Sequence, residues 1–224
     1  MRLNIIEMLQ IPIIKYMLKQ KTILVLSAHC DDAPIGCGGL LLRLKEENKS
    51  NCRIVSVVFS GGNDEVRKKE EEDASKAFGM ELYSVFSFPD TGLPNYWYEI
   101  KSKLIRLRDE LGTENIGAVI CPLREDQHQD HRIVAENAWR IFRNHMILEY
   151  ELQKYEGDLS KPNLYVEIPK KIAEKKIHIL MECYKSRSVH NWWKEKNFEA
   201  LMSVRGMEIN KDFAEGLTVR KILI

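Results

Sequence analysis

The chain has 224 residues and a formal net charge of +1, from 34 basic and 33 acidic side chains. Its 44% apolar and 30% charged residues suit a single α/β domain with a substantial core. Because the net charge is near zero, we expect no nucleic-acid partner and no general attraction to an acidic membrane surface. A small-molecule substrate fits this composition better.

The first predicted element is an N-terminal amphipathic arm at residues 1–20. Arg2, Glu7 and Lys15 interrupt its apolar residues, and Pro12 breaks the run. A signal peptide or a membrane-spanning helix needs a longer uninterrupted apolar stretch. We therefore expect the arm to pack on its own domain or on another subunit, which leaves a homo-oligomer open. Association with a membrane surface is the less favoured alternative.

A buried strand predicted at 22–26 stops abruptly at a polar cluster. His29, Asp31 and Asp32 follow it, and a glycine-rich turn leads into a helix predicted at about 38–47. A short β-branched and aliphatic run is typical of a strand buried on both faces of a parallel sheet. The order strand, turn, helix places the cluster at the carboxyl end of the strand, where open α/β sheets bind ligands.

Three more strands, each followed by a helix, are predicted next. Repeated strand, polar loop and helix calls for a parallel sheet with right-handed crossovers and helices on both faces. The glutamates and lysines of the first of these helices predict a solvent-exposed face. The predicted strands are 53–59, 82–88 and 117–121, and the helices are 64–79, 98–111 and the segment carrying Ile133, Val134, Ala138 and Ile141.

The last third of the chain is less regular, and neither a repeat nor a linker divides it. We therefore predict one domain over residues 21–224. Its fold class is α/β, a Rossmann-like three-layer sandwich with a mostly parallel sheet and helices on both faces. The remaining predicted elements are strands at 148–151, 164–168 and 217–224 and helices at 170–186 and 197–205.

A second polar cluster follows the fourth predicted strand, in the loop at 122–131. Carboxyl ends of parallel strands share one sheet edge, so we expect the two clusters to meet. His29 and Asp32 from the first cluster and His131 from the second would supply the three ligands of a catalytic zinc, with a fourth position open for water. Each cluster alone also reads as an ordinary turn or helix cap, but two on one edge favour a metal site.

Three neighbouring residues have the chemistry for hydrolysis beside such an ion. Asp31 lies outside the ligand set and is predicted to act as the general base. His128 is predicted to donate to an oxyanion, and Asp130 to orient His128. These residue types favour attack of an activated water on an amide carbonyl.

Both clusters resemble the signature motifs of a known family. AHCDDA at 28–33 and HQDH at 128–131 are similar to the motifs of PIG-L/LmbE-like zinc-dependent de-N-acetylases. The likeness extends to the helix at 66–79, to FPDTGL at 88–93 and to the segment at 175–187. It covers Lys21 to the C terminus, so residues 21–224 are interpreted as a deacetylase domain of this family.

The resemblance implies the same ligands and base that the residues themselves suggest. It also implies that Arg67 and Asp90 help to hold a sugar; a helix-surface cation and a turn cap are the alternatives. The implied cofactor is Zn²⁺, with Fe²⁺ or another divalent transition metal as the alternative. The implied reaction is removal of an N-acetyl group from an amino sugar that is free, nucleotide-linked or lipid-linked.

Four positions depart from the family pattern. Cys30 and Ala33 stand where members commonly carry Pro and Glu, and activity is expected to survive because neither is a ligand. Tyr184 replaces a frequent histidine, and Asp126 stands where some members place a tyrosine near the oxyanion. Substrate contacts in the region of Tyr184 are therefore open, and stabilisation of the tetrahedral intermediate is expected to rest on zinc and His128.

Two other functions remain alternatives: an amidase acting on a different amide, such as a thiol-glycoside conjugate, and a noncatalytic sugar-binding protein that keeps the fold. The presence of Asp31 argues against a noncatalytic sugar-binding protein, because such a protein needs no general base. Trp97, Tyr98, Trp192 and Trp193 either stack on a sugar or pack in the core or at its rim. The five cysteines contain no Cys-x-x-Cys pair and predict a reducing, cytoplasmic setting.

Overall fold

A computed structural model describes residues 17, 21–47 and 52–222. The predicted arm at 1–20 thus lies outside the described residues, apart from Met17, which is buried against the core. In these ranges no helix is both long enough and apolar enough to cross a membrane.

The described chain contains seven strands and six α-helices, which alternate as far as the fifth strand, and three short 3₁₀ turns. The strands are β1 Thr22–Ser27, β2 Arg53–Ser60, β3 Glu81–Phe88, β4 Ile116–Pro122, β5 Met146–Tyr150, β6 Leu164–Glu167 and β7 Ala214–Lys221. The helices are α1 Asp32–Glu47, α2 Glu65–Phe78, α3 Trp97–Leu111, α4 Gln129–Ile141, α5 Lys170–Cys183 and α6 Glu195–Met207.

One sheet contains all seven strands in the order β3-β2-β1-β4-β5-β7-β6. The first five strands are mutually parallel, and β7 runs antiparallel to both β5 and β6. From β1 the chain first builds outward through β2 and β3 and then returns to β4 on the other side of β1. This reversal makes the β1–β4 junction a topological switch point, the usual place for a ligand in such a sheet.

Two apolar cores lie on opposite faces of the sheet, because alternate side chains of a strand point to opposite faces. Ile23 and Val25 of β1 belong to the core that contains buried residues of α1, α2, α5 and α6. Leu24 and Leu26 belong to the core that contains those of α3 and α4. The predicted α/β sandwich with a mostly parallel sheet is confirmed.

Helix α1 begins earlier than predicted and contains a break. It starts at Asp32, and Cys37 has non-helical angles of φ −141° and ψ 23°. After the break, the backbone amides of Gly39 and Leu40 donate to the carboxylate of Glu215 on β7, at 2.6 and 2.7 Å. The helix predicted at about 38–47 is therefore the second half of a longer, kinked helix.

The prediction of a solvated glutamate and lysine face on α2 is wrong for two residues. Glu70 and Glu71 are 8% and 1% exposed. Glu70 accepts hydrogen bonds from the amide and hydroxyl of Ser186, at 2.7 and 2.6 Å. Glu71 accepts from the Asp31 amide at 3.1 Å and from the Tyr184 hydroxyl at 2.7 Å. One face of α2 therefore supports the turn after β1.

Candidate metal centre and active site

The turn between β1 and α1 carries the first cluster in a constrained backbone. Asp31 has a φ of 89°, a region that non-glycine residues rarely adopt and that often marks functional sites. Asp32 is the first residue of α1, and its Oδ2 accepts a hydrogen bond from the His29 amide at 2.8 Å. This bond closes the turn and directs His29 and Asp32 to the same side.

The second cluster is held by the start of α4, which follows the neighbouring strand β4. His128 precedes the helix, and its Nδ1 accepts a hydrogen bond from the Asp130 amide at 3.2 Å. His131 lies in the first turn of α4. Because β1 and β4 are adjacent and parallel, the two clusters meet at one sheet edge, as their positions after the strands predicted.

Three predicted metal ligands converge at this edge. One ligand atom each from His29, Asp32 and His131 lies within 4.8 Å of the other two, and all three residues are buried. Asp32 Oδ2 is 3.4 Å from both His29 Nδ1 and His131 Nε2. The His131 Nε2 atom is buried and makes no hydrogen bond. Because an orphaned buried nitrogen is costly, this donor set fits a divalent metal such as zinc.

The two histidines are oriented by carboxylates on their far sides. His131 Nδ1 is 2.8 Å from Asp126 Oδ2, and His29 Nε2 is 3.1 Å from Asp130 Oδ2. Such contacts fix the tautomer of a ligating histidine and aim its free nitrogen. The sequence predicts that Asp130 orients His128; in the structure the Asp130 carboxylate contacts His29, and only the Asp130 backbone amide donates to His128. Asp126, an open position in the sequence, holds a predicted ligand.

The charged groups of this cluster shift one another's pKa values. Burial alone would lower the pKa values of His29 and His131, but nearby carboxylates, Asp32 foremost, raise both above the ordinary range. Burial alone would raise the pKa of Asp32, whereas Lys154 and the two histidines bring it well below the ordinary range. The histidines thus sit where positive charge is favoured, which suits a cation-binding site.

A second group of ligand-type atoms lies beside the first: His29, Asp90, His128 and Asp130. Here His29 would use Nε2, which already lies 3.0 Å from Asp90 and 3.1 Å from Asp130. The Asp90 side chain is also 69% exposed. The first group is the better metal site because its histidine nitrogens point at one shared carboxylate oxygen and carry their own supporting carboxylates.

The predicted base, Asp31, is fully buried and surrounded by cations. Its Oδ1 lies 3.0 Å from Lys154 Nζ, and its Oδ2 lies 2.5 Å from Arg187 Nε and 3.4 Å from Arg67 Nη2. Burial alone would raise the pKa of Asp31, but these three charges outweigh burial and lower it. Asp31 is therefore a carboxylate, the form that accepts a proton.

His128 presents a hydrogen-bond donor to the same site. Burial, together with the nearby His131 and His29, lowers its pKa, so the ring is neutral at neutral pH. Its Nδ1 accepts the Asp130 amide proton, which leaves the ring proton on Nε2. The ring centroid is 4.8 Å from that of His29 and 4.6 Å from that of His131. Neutral His128 can therefore donate to an oxyanion without carrying a charge.

The residues assigned to sugar binding by resemblance lie next to the site. Arg67 Nη2 donates to the Cys30 carbonyl at 2.7 Å, and Asp90 contacts His29. Tyr184 is buried and donates to Glu71, which in turn accepts the Asp31 amide. Tyr184 therefore supports the turn after β1 through Glu71. These contacts explain how the residues shape the site; the sugar-binding role of Arg67 and Asp90 stays a prediction.

The aromatic residues divide between core and rim. Trp193 is 3% exposed and packs edge-on against Tyr184 and Phe198, so it belongs to the core. Trp192 is half-buried beside Lys154, with 5.8 Å between its ring centroid and the lysine Nζ. Tyr98 is exposed at the start of α3.

Sequence reasoning missed three residues at the base: Lys154, Glu71 and Arg187. Lys154 comes from an irregular loop with no motif around it. Glu71 is hidden in a charged run that resembles an ordinary helix surface. Arg187 follows Tyr184 in the segment similar to the family, and that position was the available signal for it.

Comparison with known proteins supplies a family match. The model of the PIG-L family, described as GlcNAc-PI de-N-acetylase, matches residues 24–142, which contain both polar clusters. The uncharacterized deacetylase YaiS of Escherichia coli (strain K12) is 28% identical over 123 residues, covering 52% of this chain and 65% of YaiS. The chain thus matches less than two thirds of the length of that curated relative.

Solved structures share the fold at lower identity. The N,N'-diacetylchitobiose deacetylase of Pyrococcus horikoshii has a TM-score of 0.69 and 21% identity, over 96% of this chain and 91% of that one. GalB, the 4-carboxy-2-hydroxymuconate hydratase of Pseudomonas putida KT2440, has a TM-score of 0.67 and 16% identity, over 91% and 98%. At these identities the likeness shows the fold alone, and the two proteins are named for different reactions.

Proposed function

The chain belongs to the PIG-L family of GlcNAc-PI de-N-acetylases, and on that premise we propose that it is a metal-dependent hydrolase that removes the acetyl group from an N-acetylated amino sugar. The observation that carries the proposal is the buried, unbonded Nε2 of His131, which faces Asp32 Oδ2 beside His29 Nδ1. A protein that only bound sugars would have no use for an orphaned nitrogen at this cost.

His29, Asp32 and His131 would hold the ion. Two imidazoles and one carboxylate suit zinc with an open position, and they also suit Fe²⁺. When bound, such an ion supplies a Lewis acid for the acetyl carbonyl and lowers the pKa of water. Asp126 and Asp130 keep the two histidines in the orientation that ligation requires.

The other residues would handle protons and charge. Asp31, as a carboxylate, accepts a proton from the attacking water and gives it to the departing amine as the C–N bond breaks. Because the surrounding cations make Asp31 a weak base, it depends on a water whose own pKa has been lowered. His128 Nε2–H donates to the oxygen that gains negative charge on the acyl carbon. Acetate and the free amino sugar are the products.

The proposed substrate class rests on the family description and on two side chains next to the site, Arg67 and Asp90. These side chains would bind sugar hydroxyls. A free, nucleotide-linked or lipid-linked sugar all fit this proposal. An amide in a thiol-glycoside conjugate is the alternative substrate. We further propose a reducing, cytoplasmic setting, which the five free cysteines support.

Acetate release from a panel of N-acetylated sugars, with metal analysis on the same sample, tests the proposal. We expect release that depends on bound metal and a loss of about 10³-fold or more in Asp31→Asn, which keeps the size of the side chain but removes the base. Acetate from Asp31→Asn at most of the wild-type rate would exclude Asp31 as the base. No turnover of any sugar by protein with full metal content would point to another amide or to a binding role.

A further inference from the structure

Lys154 makes a bridge to which the proposed reaction gives no role beyond a positive charge beside Asp31. Its Nζ lies 2.6 Å from Oδ1 of Asp32 and 3.0 Å from Oδ1 of Asp31. One ammonium group therefore joins a predicted metal ligand to the predicted base. The Lys154 side chain is only 7% exposed, so solvent screens these contacts little.

The loop that carries Lys154 is held by contacts at its start and in its middle. Glu151 pairs with Arg205 through two contacts of 2.7 Å, and Asp158 accepts a hydrogen bond from the Gln127 amide at 2.6 Å. Tyr155, next to Lys154, lies with its hydroxyl 2.9 Å from Nδ1 of His190. These contacts hold the lysine in place although residues 151–163 contain no helix or strand.

The bridge divides the two oxygens of Asp32 between different tasks. Oδ1 is occupied by Lys154, whereas Oδ2 faces the ring nitrogens of His29 and His131. A carboxylate held in this way offers one defined oxygen to an ion. The same ammonium fixes Oδ1 of Asp31, so the base and the ligand have a set orientation relative to each other.

We propose that Lys154 is a positioning residue that locks the Asp31 and Asp32 carboxylates in the orientation needed for hydrolysis, and that it does so at the expense of affinity for the metal. This inference rests on the proposed function. An ammonium that shares a carboxylate with a divalent ion repels that ion, and in this proposal the repulsion at such short range exceeds the gain from a well-oriented ligand. Lys154 thus lowers the metal affinity of the wild-type protein and at the same time keeps the Asp31 carboxylate correctly oriented.

Removing the charge should therefore move metal affinity and turnover in opposite directions. In Lys154→Met and Lys154→Gln we expect the Kd for Zn²⁺, measured by competition with a chromophoric chelator, to fall about tenfold. With N-acetylglucosamine as the probe, kcat should fall about 10² fold while KM stays within about threefold, because the residue acts through Asp31 rather than on the sugar. Lys154→Arg keeps the charge and should retain more of kcat than either neutral variant.

Lys161→Met is the matched control, since Lys161 is an exposed lysine of the same loop, and it should change neither quantity. A merely structural lysine would give weaker zinc binding together with lost activity, and that result, or unchanged zinc affinity, would overturn the proposal. Tighter zinc binding with wild-type kcat would overturn the positioning role.

If wild-type protein does not hydrolyse N-acetylglucosamine, the proposed function fails on that substrate, whereas the zinc titration still decides the effect of Lys154. Thermal unfolding of each variant confirms that it is folded.

Discussion

At the scale of single residues, the carboxylate of Asp126 contacts two residues of the predicted site. Asp126 bonds the His131 ring with Oδ2 and the His128 amide with Oδ1, at 2.8 Å each. It therefore positions a predicted ligand and the predicted oxyanion donor together. The Asp126 side chain thus faces the histidines.

Asp126→Asn should weaken metal binding roughly 10-fold to 100-fold, because the His131 ring loses a charged acceptor that fixes its tautomer. The measurement is a competition titration of Zn²⁺ against a chelator. Asp73→Asn, on the surface of α2, serves as the control and should bind zinc as the wild type does. An unchanged Kd in Asp126→Asn would show that His131 needs no such support.

Glu71 is a buried acid whose pKa is raised to about 7, mainly by burial, with hydrogen bonds from Tyr184 and the Asp31 amide opposing the rise. Since the unfolded chain releases this proton near the ordinary value for a glutamate, the folded protein holds an extra proton between these two pKa values. Its contribution to stability is therefore greatest in acid and is lost as the pH rises through the folded pKa.

Glu71→Gln should flatten this part of the pH profile, because glutamine does not titrate. Between about pH 5 and pH 7, the free energy of unfolding of the wild type should fall by on the order of 2–3 kcal/mol relative to that of Glu71→Gln. Urea unfolding of both proteins across this range provides the difference. Parallel profiles would mean that Glu71 is ionised throughout.

At the scale of elements, the break in α1 is closed by the last strand. Glu215 of β7 accepts the amides of Gly39 and Leu40 and pairs with the buried Lys176 of α5 at 2.8 Å. Lys176 also donates to the Ile35 carbonyl at 2.6 Å, on the other side of the break. Glu215 and Lys176 together thus join both halves of α1 to α5 and β7.

Removing that carboxylate should be costly. We expect Glu215→Ala to lower the free energy of unfolding by roughly 3–5 kcal/mol, because it leaves a buried ammonium and two backbone amides without their acceptor. Glu199→Ala, an exposed position on α6, should change stability by less than about 0.5 kcal/mol. Chemical denaturation measures both, and equal small losses would show that water replaces the Glu215 contacts.

At the scale of the whole molecule, the order of the strands creates the site. β1 and β4 are separated by two complete strand–helix units in the sequence, yet they pair directly in the sheet. The predicted ligands therefore come from chain segments that meet only in the folded state. Binding of the proposed metal would be coupled to folding, because the unfolded chain has no such site.

Zinc should accordingly stabilise the whole fold. At a free concentration of about 100 times its Kd, it should raise the free energy of unfolding by about 2.7 kcal/mol, and a chelator should reverse the gain. Thermal unfolding with and without zinc measures this effect. His131→Ala should show a much smaller shift, and an equal shift in that variant would place the ion elsewhere.

The sequence by itself determined the architecture and the two polar clusters. Short β-branched and aliphatic runs such as 22–26 and 117–121 are typical of strands buried on both faces. Their strand structure can therefore be predicted from the residues of the run alone. Parallel strands then require that residues after them share an edge, which brought His29 and His131 to one place. The family motifs, read from the same residues, agree with this placement.

Only the tertiary structure decided how the charges at that edge are partnered. Lys154 lies on a loop without periodicity, Glu71 on a charged helix, and the choice of His29 over His128 as the partner of Asp130 depends on ring positions. Side-chain direction in a loop is set by packing across the fold rather than by neighbours in the chain. The sequence therefore predicted the ligands and the base and placed them at one sheet edge, and the fold alone revealed the cations beside them.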